Sequence, residues 1–273
     1  MEPLETARTK FLLYHDLASL TGGDKGLARE RFRTQLELMR RWGYSFRSMA
    51  EFLDGSAHTS RDIVITFDDG GSSLMDTALP VLEEFGAPAT LFMIAGYAGL
   101  TGEGYPFLTW EELVESASRG IDIGSHTLSH QPLTTTDRDV IRAELDGAAK
   151  LFARHGFSPR TFAYPYGRRS DEAKDLVREA GFEAAFMIKK GGHDRYELRR
   201  RLFNLTESPA LMRLFLSDHY FGVRGAIVSL IPGRFRRDVL PLPDHAVAGR
   251  AFGIDSWDPA MAEAVDESAK ERE

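Results

Sequence analysis

The sequence predicts an α/β fold built on a mainly parallel sheet. Short apolar, β-branched or aromatic runs alternate with amphipathic segments along most of the chain, and repeated β-α units place their strands in parallel. Polar residues able to do chemistry stand where those runs end: His15, Asp68 and Asp69, His126, and Tyr164-Pro165-Tyr166. In a closed barrel such strand ends converge on one face. An open, doubly wound sheet is the other arrangement of the same units. Neither a G-x-G-x-x-G nor a P-loop motif follows a strand here, which removes the usual nucleotide-binding versions of the open sheet and favours the barrel.

Strands are expected at 11–14, 63–67, 89–94, 121–124, 161–164 and 184–188, where the apolar runs are short and bounded by turn residues. Helices are expected at 28–42, 74–85, 110–118, 137–155 and 171–180, several opened by Ser, Thr or Asp. Gly43, Gly86, Gly120, Gly156 and Gly181 each follow a helical pattern by a residue or two, as expected where the chain takes a positive φ before the next strand. After about Leu205 the rhythm stops. The reading is one barrel domain over 1–204, a C-terminal extension over 205–259, and a polar tail over 260–273 expected to be disordered. Arginines at 213, 224, 234, 236 and 237 lie among apolar residues in the extension; ordinary packing on the barrel is the simpler reading, and contact with a surface or partner the other.

Composition narrows the function. Net charge is −7, with 41 acidic against 34 basic residues, so no overall basic field exists to hold nucleic acid. Cysteine is absent, which leaves His, Asp and Glu as metal ligands. No stretch approaches the roughly 20 apolar residues of a spanning helix. The start, MEPLETARTK, has no apolar signal core, so a cytoplasmic location is expected for the sequence as written, and an extracytoplasmic one if a leader has been trimmed from it.

Two motifs carry the chemistry. Thr66-Phe67-Asp68-Asp69-Gly70 sets two adjacent carboxylates at a strand end; alone it also reads as an Asp-Gly turn. A haloacid-type phosphatase would space its acids as D-x-D, which these are not. His126-Thr127-Leu128-Ser129-His130 follows another strand, and a spacing of four puts both imidazoles on one face if the segment makes a helical turn. One carboxylate with two imidazoles is a ligand set that leaves an open metal position for water and substrate. The second carboxylate is then free to take a proton, the arrangement for hydrolysing an amide or ester.

Asp68-Asp69 in TFDDG, His126 and His130 in HTLSH, and Phe162 to Gly167 in FAYPYG resemble, in order and spacing, the polysaccharide deacetylase family, the NodB-homology group of carbohydrate esterases (family 4). The opening FLLYH, the segment FRTQLELMRRWGYSF and the FEAAFMI strand followed by 194–200 are similar to its exopolysaccharide-type subgroup. The resemblance covers about 11–204. It implies a distorted (β/α) barrel of the NodB-homology type and a metal-dependent hydrolase of amide C–N bonds that removes N-acetyl groups from an N-acetylated glycan. Asp68 is then the base, Asp69, His126 and His130 hold one divalent metal, and the Tyr166 backbone N–H helps to form the oxyanion site. Zinc is the default for two His and one Asp, with manganese, cobalt and iron open. Trp110, Tyr105, Tyr164 and Tyr166 are candidates for sugar stacking or for core packing.

The chain departs from the family pattern twice. Phe162 or Ala163 stands where many members carry an arginine that orients the base. In the resembling subgroup an arginine arrives from a later strand, and Arg200 or Arg199 in ELRRR is the candidate. No Leu-x-His motif for a general acid is found. Leu216-Ser217-Asp218-His219 has one residue too many, and His15 and His193 are the other candidates. Two further readings stay open: a metal- and glycan-binding barrel with impaired catalysis, and a hydrolase of another small amide or a lipid-linked amino sugar.

Overall fold

The computed structural model describes residues 9–57, 59–102, 105–135, 137–188, 194–205, 208–218 and 220. In chain order the strands are β1 (Lys10–Tyr14), β2 (Ser45–Phe46), β3 (Asp62–Asp69), β4 (Ala89–Met93), β5 (Thr101–Gly102), β6 (Tyr105–Pro106), β7 (Ile121–Ser125), β8 (Thr161–Ala163), β9 (Ala184–Met187) and β10 (Leu198–Leu202). The helices are α1 (Lys25–Arg41), α2 (Met49–Leu53), α3 (Leu79–Phe85), α4 (Trp110–Ser118), α5 (Arg138–Arg154), α6 (Asp171–Glu179) and α7 (Pro209–Leu216).

Seven of the strands close on themselves in the order β1-β10-β9-β8-β7-β4-β3, with β3 returning to β1, all parallel. The expected barrel is present, and its distortion has a location. β3 and β4 pair over five residues, but β7 and β8 share only Ser125↔Phe162. β2 pairs with the first two residues of β3, below the point where β4 joins it, and β5 and β6 form a separate antiparallel hairpin.

Alternation along the strands divides the core. Phe11, Val64, Phe92, Ala163, Ala184, Phe186 and Leu198 form one buried cluster inside the barrel, and Met49, Phe52 and Leu53 of α2 join it. That short helix plugs the N-terminal mouth. Their neighbours, such as Leu12, Ile63, Ile65, Leu91 and Ile123, face outward under the helices, while Phe162, Tyr164, Ala185 and Met187 pack beneath α5 and α6. Position 124 is on the inward face, where a Cβ would stand 2.4 Å from the Phe92 ring and only glycine leaves room.

Differences from the sequence reading are local. The expected helix at 74–85 is a π turn (Leu74–Ala78) leading into α3. The short strands β2, β5 and β6 and helix α7 were not among the expected elements, nor were α2, announced by the capping box of Ser48 and Glu51, and β10, whose Leu-Arg-Arg-Arg-Leu sequence hides a strand buried along much of its length. The five helix-ending glycines all have positive φ. In the extension, α7 is capped by Ser208 and buries Met212 and Leu216 in the outer core. The expectations for 221–259 and 260–273 fall outside the described residues, among which no helix is long and apolar enough to cross a membrane.

Phe52→Ala should cost about 3–5 kcal/mol, because it empties a fully buried aromatic site at the barrel mouth. Urea unfolding measures this, and a loss below about 1 kcal/mol would show that α2 is not a structural plug.

Candidate active site

The site forms where β3 ends. Asp68 continues the inward face of Val64 and Thr66, so strict alternation would turn Asp69 outward. Asp69 instead has φ 75°, a left-handed conformation. That break brings Asp69 Oδ1 to 3.6 Å from His126 Nε2, while Asp68 Oδ2 lies 3.8 Å from the same nitrogen. Two neighbours in sequence thus share one site, both about 2% exposed.

His126 and His130 are brought together, though not by the helical turn the spacing predicts. Thr127 and His130 have φ 72° and 61°, which no α-helix admits. The segment is a tight loop in which the His130 N–H donates to Thr127 Oγ1 at 3.0 Å, an alternative that a threonine side chain offers the backbone in competition with helix. His130 Nε2 reaches 3.6 Å from Asp69 Oδ1, and the two imidazole centroids are 4.9 Å apart. His126 Nδ1 lies 2.7 Å from the Ala163 carbonyl across the thin β7–β8 seam. It must donate there, which fixes the tautomer and leaves the Nε2 lone pair facing Asp69.

Arg200, not Arg199, reaches Asp68. Its two terminal nitrogens donate to Oδ1 and Oδ2, each at 2.6 Å, and one also donates to Thr66 Oγ1 at 3.2 Å. The guanidinium lies between the rings of Phe92 and Phe186, 5.1 and 5.9 Å from their centroids. The arginine absent from 162–163 is therefore replaced in space from β10.

Electrostatics separate the two acids. Burial alone would raise the Asp68 carboxyl, but the Arg200 guanidinium outweighs it and holds the group below its ordinary value. Asp69 is pushed well above its own by burial and by the charge of Asp68. Burial lowers both histidines, His130 strongly, so both imidazoles are neutral and fit to bind a metal.

Asp69, His126 and His130 offer ligand atoms within 4.8 Å of one another. Among the described residues, Asp69 Oδ1 is buried without a hydrogen-bond partner. An acceptor in that state, between two neutral imidazoles, lacks only a cation, and the donor set suits a divalent metal.

The remaining expected residues divide. Tyr166 is half-buried with φ 57°, its ring 4.6 Å from that of His130. Tyr164 is fully buried in the outer core, and Trp110 packs on His155 and Phe152 away from the site, so both are packing residues. His15 and Asp68 share the wall of a cleft of about 10 Å³, with room for about one water. The Tyr105 side chain, His193 and His219 lie outside the described residues. Thr66 and the Ala163 carbonyl were not read from the sequence. A backbone carbonyl leaves no sequence signal.

A family model described as polysaccharide deacetylase matches residues 55–185, which hold both aspartates, both histidines and Tyr166 but neither His15 nor Arg200. YxkH of Bacillus subtilis (strain 168), named provisionally as a polysaccharide deacetylase, is 27% identical over 210 residues, covering 75% of this chain and 73% of its own. The poly-beta-1,6-N-acetyl-D-glucosamine N-deacetylase of Staphylococcus aureus (strain MRSA252) is 24% identical over 60% of this chain, and the match spans 61% of that enzyme's length. Among solved structures, IcaB from Ammonifex degensii matches at 26% identity and a TM-score of 0.68, covering 76% of this chain and 96% of its own. The Streptococcus pyogenes deacetylase PplD, solved with acetate, shares the fold at 21% identity and a TM-score of 0.66, over 77% and 98% of the two chains.

Arg200→Met should cost about 3–5 kcal/mol near neutral pH, because it leaves a buried carboxylate unpaired. The sign of the pH dependence should also reverse. In the parent, the lowered Asp68 value contributes stability above the ordinary carboxylate value of about 4, lost as pH falls through the folded value. In the variant, burial raises the group, so its contribution is full below about 4 and lost as pH rises through the raised value. Urea unfolding of metal-free protein on both sides of pH ~4 measures the difference; parallel curves would contradict the pairing.

Proposed function

We propose that the chain is a member of the polysaccharide deacetylase family, which its similarities support, and that it is a metal-dependent hydrolase releasing acetate from an N-acetylated amino-sugar glycan. The observation that carries this reading is the division of the adjacent aspartates: Asp68 is clasped by Arg200, while Asp69 Oδ1, buried with no hydrogen-bond partner among the described residues, lies beside two neutral imidazoles. The S. aureus relative acts, by its name, on poly-beta-1,6-N-acetyl-D-glucosamine, and a polymer of that class is the substrate we assign.

Asp69, His126 and His130 hold the metal, with zinc the first choice for two nitrogens and one carboxylate. A divalent ion there supplies Lewis acidity, polarising the acetyl carbonyl and acidifying water. Asp68 takes the proton of the attacking water. Arg200 uses one lone pair of each carboxylate oxygen, and the others remain available to accept. Its lowered value keeps the base ionised at neutral pH.

As the water oxygen bonds to the acetyl carbon, charge develops on the carbonyl oxygen, and the Tyr166 N–H is the donor we assign to it. The C–N bond then breaks as the amine nitrogen takes a proton, giving acetate and a free amino sugar. We assign that proton to His15. It lines the same cleft as Asp68.

Removing the metal should abolish acetate release from N-acetylated glucosamine oligomers, and restoring it should recover activity; full activity after chelation would overturn the metal reading. Asp68→Asn should keep the metal and lose about 10²–10⁴-fold in turnover, while Asp69→Asn should lose metal affinity first and recover in part at high metal concentration. Paired metal titration and acetate assays decide, and the opposite pattern would reverse the two roles. His15→Gln should lower kcat by a factor in the same range of about 10²–10⁴ with metal affinity unchanged; unaltered kcat would remove His15 as the acid.

A further inference from the structure

Glu144 is a buried carboxylate on α5, about 8% exposed, and outside the set of groups that could hold a metal. Among the described residues no cation pairs with it. Both its oxygens go to one residue: Oε2 accepts from the Ser129 N–H at 2.9 Å, and Oε1 accepts from Ser129 Oγ at 2.5 Å. A buried charge used this way is costly unless its hydrogen bonds are good, and charge-assisted bonds of this length are among the stronger ones.

Ser129 stands between the two histidines, in the loop that twice takes a left-handed turn. The loop's carbonyls are held from the other side, after β4. Thr127 O accepts from the Ala95 N–H at 3.0 Å, and Leu128 O from the Gly96 N–H at 2.9 Å. Ser129 O accepts from the Tyr97 hydroxyl at 3.3 Å. Those three donors need only carbonyls. The Ser129 N–H needs an acceptor, and Glu144 is that acceptor. Three residues further along α5, on the same face, Gly147 makes room for Leu128, whose Cδ2 would lie 2.6 Å from a Cβ at 147. The helix thus grips two consecutive loop residues.

We infer that Glu144 is the positioning residue of this site, holding Ser129, and through it the His126–His130 loop, in the shape that presents both imidazoles to one metal. The inference rests on the metal reading of Asp69, His126 and His130. A side chain of this kind acts on the metal through a ligand's backbone, and loss of such supports typically weakens binding about 10–100-fold.

The test is titration of metal-free protein with Co²⁺, following its visible ligand-field bands, alongside urea unfolding. Glu144→Ala should bind Co²⁺ about 10–100-fold more weakly, with altered bands. Glu144→Gln should stay close to the parent, because its amide oxygen can accept from the Ser129 N–H while its nitrogen donates to Ser129 Oγ. Leu145→Ala, which destabilises the same helix from its buried cluster and removes no hydrogen bond to the loop, should bind Co²⁺ like the parent. Parent-like affinity in folded Glu144→Ala overturns the inference, as does an equal loss in Leu145→Ala. Should Glu144→Ala not fold, Ser129→Ala takes its place with an expected weakening of about 10-fold, and parent-like affinity there overturns the inference. Failure of the parent to bind Co²⁺, or undiminished binding by His126→Ala and His130→Ala, overturns the site reading instead, and the inference falls with it.

Discussion

Inside the barrel, the guanidinium of Arg200 is enclosed by the rings of Phe92 and Phe186 and clasps both oxygens of Asp68. Burying two ions carries an effective penalty of several kcal/mol each, and only near-ideal geometry repays it. Here both terminal nitrogens are engaged, at 2.6 Å. β10 and β3 are not neighbours, since β1 lies between them, so the pair ties strands together across the interior rather than along the ladder. The surrounding packing is fitted to it. Thr66 takes a further guanidinium bond, and Gly124 leaves the space that the Phe92 ring fills.

Above this pair, the backbone departs from ordinary conformation. Four described residues other than glycine have left-handed backbones: Asp69, Thr127, His130 and Tyr166. All four belong to the candidate site. Each such residue costs of order 1–3 kcal/mol and persists only where its surroundings over-determine it. Here those surroundings are visible. β3 is held by β1 and β4, the histidine loop by Ala95, Gly96, Tyr97 and Glu144, and Gly167 packs tightly on Ile188. Strain in the site is carried by a rigid frame, as preorganised catalysis requires.

The same frame explains why two adjacent carboxylates behave differently. Each is fully buried, and burial acts on both in the same direction. Arg200 reaches one of them closely enough to reverse the effect, and the charge of that one then raises the other further. A cation beside Asp69 would complete the balance. On the proposed reading the arginine and a metal would act on different carboxylates, leaving one acid as an anionic base and the other as a ligand.

The sequence by itself determined the local chemistry and the rhythm. DDG at a strand end, HTLSH after another strand, and glycines closing the helices all depend on residues near one another in the chain, where spacing and propensity act directly. Those signals carried the barrel, the candidate ligand set and the adjacent acids. The geometry of the histidine loop was not legible in the same way, because a spacing of four fits a helical turn equally well; Ala95, Gly96 and Glu144, all distant in sequence, decide against it. Tertiary structure alone also decided which arginine faces Asp68. Arg199, Arg200 and Arg201 are equivalent as text, and a strand sends alternate residues to opposite faces. The register pairing Arg200 with inward-facing Phe11 turns Arg200 to Asp68, 132 residues away in sequence, and turns Arg201 outward to the α7 backbone. Strand register is fixed by long-range pairing and by what the barrel can hold, and no local pattern within the arginine run encodes it.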